Sequence, residues 1–111
     1  MADEKITLCG ANSYEEKYYF NPEFELLPTD IQNKLQAICV LFTEEVGGIM
    51  YLEFDKVGNL LINIASDEKD YLYDTIEAEL QVRKVLEENE ELFSKLELYY
   101  TARKSIKNEN Q

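Results

Sequence analysis

The acids Asp67, Asp70 and Asp74 are the residues whose type and spacing best suit chemistry. On a helix, steps of three and four set them on one face, where carboxylates can exchange protons or hold a hard cation such as magnesium, calcium or manganese. Their spacing is not that of an EF-hand loop. A helix cap followed by a solvated acidic face accounts for the same three residues and is the preferred reading. Glu44 and Glu45, beside Gly47 and Gly48, form a second acidic pair and read as the polar end of a helix. Cys9 has no His or basic neighbour to lower its pKa, so it reads as a packed thiol rather than a nucleophile. Cys9 and Cys39 together make neither a disulfide framework nor a zinc spacing.

Several classes of function are excluded by composition. The 111 residues contain no His, which removes the commonest general base, the usual nitrogen ligand for metals and every His-assisted nucleophile. The four glycines form no phosphate-cradling loop, so no nucleotide cofactor is indicated. Asp and Glu outnumber Lys and Arg by 23 to 11, and the resulting net charge of −12 repels a nucleic-acid backbone. The longest apolar run, 37–42, is far short of a membrane span or signal segment, and the opening Met1-Ala2-Asp3-Glu4-Lys5 carries no leader pattern. A cytoplasmic protein with reduced thiols is expected.

Those residues must be positioned by one folded domain, expected over 1–103, with 104–111 as a polar disordered tail. Apolar residues make up 45% of the chain, enough to bury a core despite the charge. Residues 5–9 read as a short strand, followed by a turn at Gly10-Ala11-Asn12-Ser13. Residues 14–20 read as a second strand, with a helical turn begun by Ser13 and Glu16 as the alternative. After Pro28, Thr29 or Asp30 can cap a helix over 29–46, its apolar stripe running through Ile31, Leu35, Ile38, Cys39, Phe42 and Val46. Gly47 ends it.

Period-two alternation over 49–65 around Asp55-Lys56-Val57-Gly58-Asn59 predicts a β-hairpin. Phe54 should face Leu60, Leu52 face Ile62 and Met50 face Ile64, with Tyr51, Glu53, Leu61 and Asn63 on the wetter side. Ser66 or Asp67 then caps a helix over 67–80 with the stripe Leu72, Ile76 and Leu80. A further helix over 82–103 carries Val82, Leu86, Phe93, Leu96 and Tyr100 on an opposed stripe, which argues for a break near 80–82. The fold expected is α+β: an antiparallel sheet of two to four strands, including the 49–65 hairpin, packed against about three helices (29–46, 67–80 and 82–103).

The run Cys9-Gly10-Ala11-Asn12-Ser13-Tyr14-Glu15-Glu16-Lys17-Tyr18-Tyr19, then Leu27-Pro28, then Cys39-Val40-Leu41-Phe42-Thr43-Glu44-Glu45-Val46-Gly47-Gly48 resembles a family of small uncharacterised clostridial proteins. Phe54-Asp55, Gly58-Asn59, Tyr73-Asp74 and Glu91-Leu92-Phe93 fit the same resemblance. It is a domain of unknown function, so the resemblance implies a bacterial cytoplasmic setting and supplies no active site.

The function expected is therefore non-enzymatic: a small acidic module that binds a protein partner or self-assembles, possible as a homodimer, with no cofactor. Ala37, Val40 and Leu41 lie off the 29–46 stripe and, with Tyr99 and Tyr100, are the candidate interface. The eight tyrosines include adjacent pairs that cannot all enter one core. Asn89 falls within the last apolar stripe, either at a wet edge or as a register-fixing polar group. The alternatives are an acidic blocker of a basic partner, such as a toxin neutraliser or nucleic-acid mimic, and a carboxylate metal or enzyme site at Asp67, Asp70 and Asp74.

Overall fold

Alternating apolar residues make the central strands, and the first helix is the segment between them that cannot alternate. In the computed structural model, which describes residues 5–109, the order is β1 (Ile6–Asn12), β2 (Lys17–Phe20), a 3-10 turn (Pro22–Phe24), α1 (Thr29–Val46), β3 (Ile49–Phe54), β4 (Leu60–Ala65), α2 (Thr75–Glu88) and α3 (Glu90–Glu109). The strands form one antiparallel sheet in the order β2-β1-β3-β4. The fold is α+β, with three helices and the expected hairpin.

The hairpin has the register its turn residues dictate: Phe54 pairs with Leu60, Leu52 with Ile62 and Met50 with Ile64. The Asp55 N–H donates to the Asn59 carbonyl at 2.9 Å, and the Asp55 carboxylate accepts the N–H groups of Val57 and Asn59. On the opposite side Tyr51, Leu61 and Asn63 are half-buried, but Glu53 is buried, taking a hydrogen bond from Asn63 Nδ2 at 2.8 Å with Lys5 Nζ at 3.8 Å.

β1 runs further than 5–9. Gly10 makes no turn; it pairs with Tyr19 on one side and Tyr51 on the other, and a Cβ there would meet the Tyr51 Cβ at 2.6 Å. The glycine therefore serves close strand approach. The turn falls on 13–16, where Asn12 Oδ1 accepts the N–H groups of Tyr14 and Glu15, so the strand expected from 14 begins at Lys17. A bulge at Leu8 directs both Leu8 and Cys9 into the core.

α1 matches its expected span, but its start has no side-chain cap: the Pro28 carbonyl takes the N–H groups of Ile31 and Gln32. Gly47, at φ +80°, ends it with an N–H to Thr43 O hydrogen bond of 2.8 Å. Leu35, Cys39 and Phe42 pack onto Leu8, Cys9, Met50, Leu52 and Phe54.

The C-terminal helices differ from expectation. Residues 67–74 are turns, because Asp67 and Asp70 accept the N–H groups of Lys69 and Leu72, local bonds that compete with a helix. Asp74 caps α2 instead, accepting the Glu77 N–H at 3.1 Å. The break lies at Asn89 (φ −122°, ψ 23°), not near 80–82, and Asn89 Nδ2 donates back to Val85 O in the last turn of α2 at 2.9 Å. α3 then continues through 104 to Glu109 rather than fraying after 103; no Gly or Pro interrupts it, and Lys104 Nζ donates to Lys56 O at 2.6 Å. Residues 1–4 of the expected domain, and 110–111 of the expected tail, lie outside the described residues. None of the helices is long and apolar enough to cross a membrane, among the described residues.

Candidate docking surface

Asp67, Asp70 and Asp74 do not share a helical face, since they precede α2. The Tyr14 hydroxyl donates to Asp70 Oδ2 at 2.6 Å, and the Tyr14 hydroxyl oxygen in turn accepts the Asp67 N–H at 3.0 Å. The Asp70 carboxylate holds the Tyr14 proton and raises the phenol above its ordinary pKa. Asp74 is committed to its cap. Each acid thus has a separate structural task, and among the described residues no three Cys, Asp or Glu are gathered to hold a metal ion.

The five residues expected at an interface separate into three places. Ala37 and Leu41 are exposed and line a groove of about 300 Å³ between α1 and α2, together with Ile38, Gln81 and Val85. Val40 turns toward the other side of α1, into a recess shared with Tyr18 and Thr43. Tyr99 and Tyr100 are half-buried against the core, Tyr100 stacking on Phe54 with ring centroids 4.3 Å apart. Beside it, the Arg103 guanidinium lies 4.8 Å from the centre of the Phe24 ring. The exposed Glu44 and Glu45 border the recess and the groove respectively.

The largest concentration of exposed apolar side chains is elsewhere. Tyr71 is 89% exposed, Leu72 95%, Ile76 73% and Leu80 55%. Sequence reasoning turned Leu72, Ile76 and Leu80 toward the core; the structure turns them outward. α2 buries Ala78, Gln81, Val82 and Val85, on the side facing α1. The signal was present in the spacing. Ala78, Val82, Val85, Asn89, Leu92 and Leu96 recur in alternating steps of four and three, a heptad seam that runs through the Asn89 joint and gives both helices one inner side. Ile76 and Leu80, about 40° apart around the axis, stand opposite that seam.

Charges border this outer stripe in order. Glu77 and Glu79 lie toward the N-terminal half of α2, Arg83 and Lys84 toward the C-terminal half, all exposed. A second surface is the uncovered side of the sheet, where a groove of about 420 Å³ lies over Gly10, with Tyr19 and Tyr51 among its walls. Glu15 and Lys17 also line it.

A protein-family model described as "Family of unknown function (DUF6145)" matches residues 5–109. No curated protein and no solved structure matches the chain.

Proposed function

The chain belongs to that family of unknown function, and from this premise we propose that it is a non-enzymatic module that docks onto a protein surface through the outer face of α2. The observation that carries this reading is the pair Ile76 and Leu80, exposed on α2 while the opposite side of the same helix is buried, with Tyr71 and Leu72 exposed in the turn that leads into it. Contiguous exposed apolar patches mark interaction sites, whereas scattered ones do not. The setting is cytoplasmic, where Cys9 and Cys39 stay reduced. Catalysis has little support: the chain has no His, and each candidate acid is engaged singly.

The exposed acids Asp67, Asp74, Glu77 and Glu79 beside the stripe favour a second reading, an acidic blocker of a basic partner. One experiment separates the two. Wild-type protein and an Ile76→Glu/Leu80→Glu variant serve as baits in native extract at low and high salt, with mass spectrometry of what is retained. A partner held by the wild type at both salts and lost from the variant supports apolar docking. A partner released by salt from both baits supports the blocker. Identical retention by both baits at high salt overturns the assignment to α2.

A further inference from the structure

We infer that the outer face of α2 docks on a second copy of itself, in an antiparallel pair whose two-fold axis passes beside Leu80. This rests on the docking reading above and names the partner. The ground is the order of charges around the stripe. Viewed down the helix, Glu79 and Arg83 lie on one flank of Ile76 and Leu80, and Glu77 and Lys84 lie on the other. A two-fold axis normal to the helix sets each flank against the same flank of the copy, running in the opposite direction.

In that arrangement Glu79 meets Arg83 of the copy on one side, and Glu77 meets its Lys84 on the other. Both pairings are centred on the same turn, at Leu80 and Gln81, so a single register satisfies both flanks. Self-complementarity of this kind is what a closed two-fold interface requires and what an unrelated partner does not. Among the described residues, the ion pairs within one subunit are Lys5–Glu53 and Arg103–Glu23, which leaves Arg83 and Lys84 available to the copy. In this register the two Leu80 side chains meet beside the axis, and Ile76 of each copy lies level with Arg83 and Glu87 of the other, whose methylene stems cover it.

With one or two apolar side chains per copy at its centre the contact is small, so the dimer should exchange and be sought at roughly 10–500 µM, the range of weak association. Light scattering and sedimentation velocity of the purified protein across that range test it. The wild type should pass from monomer to dimer. Leu80→Glu, with an unchanged circular dichroism spectrum, should weaken association by ~30-fold or more, as loss of an interface hot spot does.

The sharper test uses two charge variants. Arg83→Glu/Lys84→Glu makes both flanks acidic, and Glu77→Lys/Glu79→Arg makes both basic. Each alone should be monomeric, and an equimolar mixture should form a heterodimer. A wild type that stays monomeric throughout, a dimer indifferent to Leu80→Glu, or a mixture that fails to pair overturns the proposal. A monomeric wild type whose bait still retains another protein through Ile76 and Leu80 would leave the docking reading standing and the self-pairing refuted.

Discussion

Tyr18 and Cys39 set the alkaline limit of the fold. Burial raises the Tyr18 phenol well above its ordinary pKa of 10, with Cys9 beside it adding to the effect. The Cys39 thiol is raised first by its hydrogen bond with Cys9 and then by burial. Both groups bind their protons more tightly folded than unfolded, so their stabilisation is complete below the unfolded pKa values and is lost as pH rises past them. Urea midpoints should be level from about pH 6 to 8.5 and fall above about 9 to 10, with a shallower fall in Tyr18→Phe. Asp55 has the opposite sign. The Asn59 N–H chiefly, with the Asn59 side chain and the Val57 and Gly58 N–H groups, holds its carboxyl below the usual range. Its contribution is present above the unfolded carboxylate pKa and lost as pH falls through the lower folded value. Melting temperatures measured from about pH 6 to 2.5 should therefore show a smaller acid-side drop in Asp55→Ala than in the wild type.

Among the elements, α2 has the most exposed beginning and depends most on its cap. Asp74→Ala should cost about 1 kcal/mol by urea denaturation, the usual value of an N-cap oxygen, while Asp67→Ala should cost less because its bond serves only a turn. The same contrast explains what was legible in the sequence. The hairpin could be read to the register because Asp55, Gly58 and Asn59 can satisfy only one turn, and α1 because Pro28 and Gly47 bracket it. The start of α2 could not, because an Asp two residues before an N–H closes a turn as readily as it caps a helix, and Asp67, Asp70 and Asp74 offer that choice three times. Nor could its inner side, because Leu72, Ile76 and Leu80 outweigh Ala78, Gln81 and Val82 in hydrophobicity. Only the continuity of the seam through Asn89 decides against the larger residues. Of the residues named for an interface, Ala37 and Leu41 are exposed, whereas Tyr100 stacks on Phe54.

At the scale of the molecule, the C-terminal helices determine the shape. They take up residues 75–109 as two helices parted at Asn89, and the longest axis of the protein is 49 Å against 33 and 24 Å for the others. α3 contacts β4 and α2 contacts α1, but among the described residues nothing covers the outer side of α2. The core and this outer side should therefore respond differently to substitution. Phe54→Ala removes a fully buried ring stacked on Tyr100 and should cost about 3–5 kcal/mol by denaturant titration. Ile76→Glu/Leu80→Glu should leave monomer stability within about 0.5 kcal/mol per site, as exposed positions do. A large loss there would mean that these side chains belong to the core after all.

The sulfurs of Cys9 and Cys39 lie 3.7 Å apart, fully enclosed where β1 meets α1. No reagent reaches either one until that helix lifts from the strand beneath it. The rate at which an aromatic disulfide labels the native protein is therefore a count of how often the core opens, taken without denaturant or an engineered cysteine. The chain carries its own clock for the one motion that would undo it.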